Sequence, residues 1–423
     1  MSHKNTLKIL TPACMGTILE WYDFSIFAYF SPIMSERFFP SDDPWASWIS
    51  IYAVFAVGFL VRPLGAAVFG HYGDRIGRKR VLVWSMLAIS LSTVAIGLLP
   101  TWQSIGIWAP IFLVLLRLIQ GFCVGGETTG AAAYVLESLP KHARGMLGSI
   151  MWSAVGIGML SSSLVTTILT LSLSHEDLIH FGWRIPFLFG IASGLLGYYF
   201  RRKLPEAALF SQAQNNGQLK RESMAKVVYQ NRRYISILSG LYALSAMITY
   251  LVFVFMPFYA TNVMGIASGT ANLITTISIA IVTFALPFAG MLSDRIGRKP
   301  CLYMGAGGFF LLAWPLYVLM AHQASLASLI TAEAVFVVLA FLYQGSLTTA
   351  AQELTQTPVR YTVTAIGYNV SYAIFAGTTP FVVTWLSHLT QNKSIPGLYL
   401  MFGSLLAIAA LSQMKETARL ELL

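Results

Sequence analysis

The chain has 423 residues, of which 56% are apolar and only 10% are charged. A soluble domain carries about a quarter charged residues, so this composition excludes an ordinary soluble protein and predicts a chain solvated by lipid. The formal net charge of +10 does not indicate nucleic-acid binding, because the basic residues lie in short segments between apolar runs and form no continuous stripe.

Twelve segments are apolar and long enough to cross a bilayer, which takes about 20 mostly apolar residues. They are 9–31, 46–69, 81–100, 108–137, 146–172, 184–200, 234–260, 270–291, 301–320, 326–350, 362–387 and 398–413. A polar central loop at 201–233 separates an N-terminal six-helix half at 1–200 from a C-terminal six-helix half at 234–423. The sequence therefore predicts an all-α membrane protein with twelve transmembrane helices in two pseudo-symmetric halves.

Lysine and arginine are distributed unequally over the two sides that these spans define. If both chain ends and the central loop share one side, the opposite side keeps only Arg37, Arg184 and Lys393 of the basic residues in the loops and at the span ends. Because positively charged loops stay in the cytoplasm, we expect a multi-pass protein of the cell (inner) membrane with both termini cytoplasmic.

One ten-residue segment occurs twice. Residues 70–79, GHYGDRIGRK, recur as residues 290–299, GMLSDRIGRK, with seven of the ten positions identical. Each copy lies between two predicted spans, so the repeat indicates a duplicated half-protein.

Six charged residues lie away from the ends of the predicted spans, where a charge costs several kcal/mol and suggests a function. They are Glu20, Asp23, Arg62, Arg117, Glu127 and Glu333. A helical rise of about 1.5 Å per residue places Asp23 roughly 12 Å and Arg117 roughly 13 Å from the same membrane surface. A buried carboxyl stays ionised beside an arginine and takes up a proton without it, so this pair is a candidate for proton coupling. The alternatives are a permanent ion pair and an arginine that only attracts an anionic substrate.

Several motifs indicate a family. Residues 70–79 and their second copy resemble the signature loops of the major facilitator superfamily, and residues 20–24, EWYDF, resemble a motif of its metabolite:proton symporter branch. Further segments match this branch: 62–65, 120–122 with 125–127, 182–187, 204–206 and 414–417. Residues 105–110, IGIWAP, and residues 414–417, MKET, look most like proline/glycine-betaine porters.

The resemblance implies a secondary transporter that imports a small polar metabolite with a proton by alternating access, with proline or a betaine as the leading substrate. It implies that Asp23, Arg117 and Glu20 couple the proton. Expected substrate-binding residues are Trp21, Tyr22, Gln120, Glu127, Tyr250, Tyr368 and Asn369. Aromatic rings can hold a methylated ammonium by cation–π contact, although aromatic residues in spans also face lipid or pack helices. We expect no cofactor and no metal, and a monomer as the working unit.

The repeated loops are expected to gate the cytoplasmic side. By resemblance, Asp74 meets the start of the eleventh span near Tyr361, and Asp294 meets the start of the fifth span near Gly145. The unpaired amides at a helix start favour a carboxylate there. The predicted gating residues are Gly70, Gly73, Asp74, Arg75, Arg78, Glu137, Arg144, Gly290, Asp294, Arg295 and Arg298. The alternative, that the arginines only set the orientation in the membrane, leaves the aspartates and glycines unexplained.

Three other functions stay open at this point. The same fold could carry a mono- or dicarboxylic acid such as α-ketoglutarate, citrate or shikimate. It could also export compounds by proton antiport, or act as a receptor that binds without transporting. The sequence contains no Ser/His/Asp or Cys/His constellation and no P-loop, so we do not expect an enzyme.

Overall fold

The computed structural model describes residues 3–66, 68–69, 78–125, 132, 135–136, 144–202, 224–355 and 359–418. Twelve helices cross the molecule within these residues, labelled α1 to α12 in chain order. They are α1 (His3–Phe38), α2 (Pro44–Ala66), α3 (Arg78–Leu98), α4 (Trp108–Val124), α5 (Arg144–Ser172), α6 (His175–Phe200), α7 (Arg232–Val252), α8 (Ser268–Ile296), α9 (Arg298–Gln323), α10 (Leu326–Glu353), α11 (Thr362–Thr390) and α12 (Ile395–Gln413). The predicted all-α fold with twelve spans is confirmed.

The helices have the length and surface of membrane spans. Nine helices in the described part of the chain are long and apolar enough to cross a bilayer, and α3 and α4 contain the shorter apolar helices Val83–Leu98 and Trp108–Val124. Large apolar side chains on the outer surface stay exposed, among them Leu195 at 66%, Phe284 at 64% and Leu311 at 67%. Such a surface is stable against lipid tails and not against water, so the chain is a multi-pass membrane protein.

Three of the twelve helical segments are irregular, and each irregularity ends four or five residues before a proline. Proline lacks the amide that would bond the carbonyl four residues earlier, and its ring clashes with that carbonyl, so the helix cannot continue unchanged. The three positions are a π-helical turn at Leu178–Gly182 before Pro186 in α6, the end of α7 at Val252 before Pro257, and a π-helical turn at Tyr372–Ala376 before Pro380 in α11. The span predicted at 234–260 is thus two helices, α7 and the short Met256–Asn262.

The two halves meet along two pairs of helices. In one pair, α5 packs along α8 and also touches α10; in the other, α2 packs against α11. At Gly290 of α8 two backbones approach closely, because a Cβ atom there would lie 2.3 Å from the carbonyl oxygen of Gly145. Only glycine leaves room for two backbones at this distance, which gives the repeated-loop glycine a packing role.

Contacts join the halves at both ends of the bundle. We call the end where α1 begins and α12 ends the terminal side, and the other end the opposite side. On the terminal side Asp294 of α8 accepts hydrogen bonds from the start of α5. On the opposite side the Tyr29 hydroxyl donates to the Phe253 carbonyl at 2.8 Å, and the rings of Trp48 and Phe258 lie 4.9 Å apart. The described residues therefore form an occluded state.

Candidate functional site

Asp23 is buried in the N-terminal half and held by two serines. Its carboxylate accepts hydrogen bonds from the Ser193 hydroxyl of α6 at 2.9 and 3.0 Å and from the Ser90 hydroxyl of α3 at 3.2 Å. The side chain is 1% exposed. The membrane-buried carboxyl that the EWYDF motif supplies therefore faces α3 and α6.

Arg117 of α4 lies in the same half as Asp23 but has different neighbours. Its guanidinium donates to Gln120 at 3.0 Å, and Gln120 donates in turn to Thr93 at 2.8 Å. The group also lies 4.4 Å from the ring of Phe24, while its Nε and Nη2 have no hydrogen-bond acceptor. The expected bond between Asp23 and Arg117 is therefore not formed in this state.

The ring of Phe24 lies between two buried guanidinium groups. Arg62 of α2 lies 4.2 Å from its centroid and Arg117 4.4 Å. Such cation–π contacts offset part of the cost of burying an arginine. Glu20, one turn before Phe24 on α1, is also buried, at 5% exposure. Two arginines and two carboxyls are thus buried in the helices of the N-terminal half.

Aromatic rings from both halves meet at the centre of the bundle. Trp21 of α1 packs edge-on against Tyr372 of α11 at 6.2 Å, Tyr372 stacks on Tyr368 at 4.2 Å, and Tyr368 packs edge-on against Tyr242 at 5.2 Å. With Trp152 of α5, which lines the cavities described next, these four residues form what we call the central cluster.

Two small cavities adjoin the central cluster. One of about 10 Å³ is lined by residues that include Trp152, Tyr242, Tyr368 and Gln352, and one of about 20 Å³ by residues that include Trp152, Thr249 and Gln344. Each has room for about one water molecule. A metabolite would fit only after the halves move apart.

Several buried polar atoms around the central cluster lack hydrogen-bond partners. They are the indole nitrogen of Trp21, the hydroxyls of Tyr250 and Thr348, and both amide atoms of Gln352. Such atoms are rare in native proteins, because each loses its hydration without compensation. Their convergence between two halves is typical of a site that a polar ligand or water occupies.

Two of the expected substrate-binding residues make other contacts. The Tyr22 hydroxyl donates to the Pro186 carbonyl of α6 at 3.0 Å, so Tyr22 points away from the central cluster. Asn369 of α11 donates to the Gly125 carbonyl beyond α4 at 2.7 Å and thereby bridges the halves. Tyr250 lies between the halves against Phe55, with their centroids 5.6 Å apart.

Sequence reasoning missed several residues of this site. Trp152, Tyr242, Gln344 and Gln352 belong to no motif that we recognised. The glutamines carry a usable signal, since an amide inside an apolar span is costly unless it has a polar partner. Gln344 has one, because its Nε2 donates to the Thr249 hydroxyl at 3.0 Å.

The second copy of the repeated loop joins the two halves on the terminal side. The Asp294 carboxylate accepts hydrogen bonds from the amides of Gly145 at 3.0 Å and Met146 at 3.3 Å, and it pairs with Arg298 at 2.7 Å. The expected contact between Asp294 and the start of α5 is thus present. Arg298 also pairs with Glu353 at the end of α10 at 3.2 Å, a partner that no motif indicated.

The segment after α12 binds to the start of α9. The carboxylate of Glu416 accepts hydrogen bonds from the amides of Arg298 at 2.9 Å and Lys299 at 3.0 Å, and further ones from Thr417 and Ala418. Partial burial opposes ionisation of Glu416, but these four amide donors outweigh it and lower the pKa of the carboxyl below its usual value. Glu416 is therefore a charged helix cap supplied by a distant segment.

Only some of the remaining expected gating residues lie in the described part of the chain. Arg144 is buried at the start of α5, where its carbonyl accepts a bond from Thr349 of α10 at 3.1 Å, whereas Arg295 is exposed. Of Arg78 only the backbone, at the start of α3, is described. The other predicted positions lie outside the described residues: Gly70, Gly73, Asp74, Arg75, Glu127 and Glu137.

The chain matches known transporters over almost its whole length. The sequence model of the Major Facilitator Superfamily matches residues 13–378. A proline/betaine transporter of Salmonella typhimurium is 34% identical over 421 residues, which are 97% of this chain and 84% of that protein. A glycine betaine/proline/ectoine/pipecolic acid transporter of Dickeya dadantii is 33% identical, with 97% of this chain and 83% of that protein covered.

The fold also matches solved structures. The partially occluded inward-open conformation of the xylose transporter XylE from E. coli has a TM-score of 0.80 over 99% of both chains, at 19% identity. Likeness at this identity shows the fold alone. Together with the family model and the relatives, it means that the chain is a transporter and not an enzyme. The chain belongs to the Major Facilitator Superfamily, and it is similar to proline/betaine transporters.

Proposed function

We propose that the chain imports a small zwitterionic osmolyte of the proline or betaine type together with a proton, by alternating access of its two halves. The observation that carries this proposal is the central cluster, where aromatic rings and unpartnered polar atoms from both halves converge. The names of the similar proteins, which are transporters of proline and betaines, support the same substrate class.

The chemistry around the cluster suits a zwitterion. The rings of Trp21, Tyr368 and Tyr372 offer negative faces to an ammonium group. The carboxylate of the substrate is complementary to Arg117, whose Nε and Nη2 lack acceptors and whose guanidinium lies 5.3 Å from the ring of Phe55. The aromatic faces attract an ammonium group and repel a second carboxylate, so the central cluster favours the osmolyte over a dicarboxylic acid.

Asp23 has the surroundings of a proton carrier. A serine hydroxyl can donate to a carboxylate and can accept from a protonated carboxyl, so Ser90 and Ser193 match both protonation states. A change of protonation at Asp23 therefore leaves no buried group unsatisfied. Arg117 and Glu20 remain the proposed partners of Asp23 in states that differ from the occluded one.

We also propose that the terminal side is cytoplasmic and that its contacts form a gate. The charge distribution supports this orientation. The bonds of Asp294 to the start of α5 exist only while the halves are closed on this side, so they stabilise the outward-facing and occluded states. The monomer contains the whole site and is the proposed transport unit.

A binding panel tests the substrate class. We expect glycine betaine and proline to raise the unfolding temperature of the purified protein, and α-ketoglutarate, citrate and shikimate to leave it unchanged. Tyr372→Ala should weaken betaine binding about tenfold, because it removes a cation–π contact worth about 0.5–2 kcal/mol and adjoining ring packing. Tyr372→Phe should retain binding.

The control for this panel is Tyr229→Ala, which removes a tyrosine that is 69% exposed on a short helix before α7. This variant should bind as the wild type does. Stabilisation by an organic acid, with none by betaine or proline, would replace the proposed substrate with the acid.

A further inference from the structure

A second acidic side chain is buried in the C-terminal half. Glu333 lies in α10 and is 1% exposed. Its Oε1 lies 3.5 Å from the Thr275 hydroxyl of α8, and its Oε2 has no hydrogen-bond partner. The other side chains that face it are Ser278 of α8, Tyr317 of α9 and Tyr29 of α1. Within the described part of the chain, none of the groups that interact with Glu333 carries a positive charge.

Helical spacing places Glu333 between the larger cavity and the opposite side. Gln344, which lines that cavity, follows Glu333 by eleven residues, which is about three turns and about 16 Å along the same face of α10. On α8 the same interval separates Thr275 from the cavity-lining Leu286. Glu333 and Thr275 therefore continue the two cavity-lining faces toward the opposite side.

One contact between the halves separates Glu333 and the larger cavity from the opposite side. The hydrogen bond from Tyr29 to the Phe253 carbonyl joins the halves on the opposite side, and Phe253 itself lines the cavity. When this side opens, water can enter along the exposed faces of α8 and α10 and reach Glu333. In the occluded state no cationic side chain among the described residues faces the carboxyl.

The energetics link the charge of Glu333 to closure. An ionised carboxylate that is buried in the membrane without a counter-ion costs several kcal/mol. The neutral hydroxyls of Thr275 and Ser278 offset only part of this cost, and the Tyr317 hydroxyl has no hydrogen-bond partner. A neutral carboxyl avoids most of this cost, and closure of the opposite side should therefore require a proton on Glu333.

We propose that Glu333 is a proton-binding site that controls closure of the opposite side. Its carboxylate takes a proton from extracellular water while this side is open, and the neutral acid is then enclosed when the halves close. The proposal rests on the proposed function for the outward orientation of this side. Because binding and conformation are linked, external acid should favour the occluded state.

Glu333→Gln tests the proposal, since the amide keeps the shape and stays neutral at every pH. In proteoliposomes, wild-type betaine uptake should slow as the external pH rises, by at most about tenfold per pH unit for one titrating group. When internal and external pH are raised together, so that the pH gradient is constant, uptake by Glu333→Gln should slow less than uptake by the wild type. Glu333→Asp retains a carboxyl and should retain the dependence, which separates the loss of a proton site from a defect in folding.

Infrared difference spectra between acidic and alkaline buffer give a second readout. The wild type should show the carbonyl band of a protonated carboxylic acid that disappears in alkaline buffer, and Glu333→Gln should lack part of it. The matched control is Glu36→Gln, at an exposed glutamate on the same side, which should change neither readout.

Two outcomes separate this site from the proposed function. If Glu333→Gln retains both the external-pH dependence and the full infrared band, the proposal is wrong. If the wild type moves betaine without protons but shows the Glu333 band, the site is supported and the proposed proton coupling fails instead.

Discussion

Asp23 shows at the scale of one residue how the site combines burial with adaptability. Its carboxylate is enclosed by α1, α3 and α6, and its two serine partners can reverse their hydrogen bonds when it takes up a proton. A proton can therefore be stored there without the loss of a buried hydrogen bond. We therefore expect that substitution of Asp23 abolishes proton coupling.

Asp23→Asn should separate transport from coupling. The amide keeps hydrogen bonds to Ser90 and Ser193, so the fold should survive, but it cannot exchange a proton. We expect uptake driven by a pH gradient to be lost and counterflow exchange of labelled betaine to persist. Asp42→Asn, at an exposed position after α1, is the control and should affect neither. Unimpaired gradient-driven uptake by Asp23→Asn would remove Asp23 from the mechanism.

The sequence predicts how deep a side chain lies along its helix, but not which neighbouring helices that side chain faces. Asp23 and Arg117 lie at a common level, yet one faces α3 and α6 and the other lies against Phe24 and Phe27. The contact of Asp294 with Gly145 was expected from the resemblance to the family, in which the aspartate of this repeated loop meets the start of the fifth span. Trp152 and Tyr242 were not predictable, because aromatic residues that pack helices have the same sequence pattern as those that line a site.

The start of α9 illustrates how one element depends on a distant segment. Gly297 precedes the helix with φ at 108°, a conformation that favours glycine, and a Cβ there would lie 2.7 Å from the Glu416 carboxylate. Glu416 then caps the first two amides of α9, and Thr417 donates to Glu353 of α10 at 2.9 Å. The segment after α12 thus fixes the end of the network that includes Arg298 and Asp294.

Glu416→Gln should destabilise this end of α9 in a pH-dependent manner. The amide offers one acceptor instead of two and no charge, a loss of about 1 kcal/mol for a helix cap. Because the folded-state pKa of Glu416 is lowered, its stabilisation is complete above the unfolded-state pKa and disappears as the pH falls through the folded-state value. Thermal unfolding in detergent should therefore show a difference from wild type at neutral pH that shrinks as the pH falls below the ordinary glutamate pKa of about 4.3 and vanishes below the lowered folded-state pKa.

The exposed Glu176 provides the control for this prediction, and Glu176→Gln should unfold as the wild type does at each pH. A constant difference between Glu416→Gln and wild type from neutral to acidic pH would mean that the Glu416 charge contributes nothing to stability.

The positions of the helices were largely predictable from the sequence, since apolar length defines a span. The breaks in α6, α7 and α11 also have a signal, a proline four or five residues later, although its effect on helix direction depends on packing.

At the scale of the whole molecule, contacts at both ends hold the halves in one closed arrangement. Asp294 joins α8 to α5 on the terminal side, while Tyr29 joins α1 to the Phe253 carbonyl on the opposite side. Alternating access requires each set to break in turn. The duplication of the loop predicted the two-half plan, but which side chains complete each closure depends on the packing of both halves together.

Proton movement with substrate tests the central claim most directly. Proteoliposomes with a pH-sensitive dye inside and the membrane potential clamped at zero would receive glycine betaine outside. We predict that the lumen acidifies at a rate that follows betaine uptake, and that Asp23→Asn liposomes exchange betaine without acidification. Betaine uptake with no change in internal pH, or with alkalinisation, would contradict proton-coupled import.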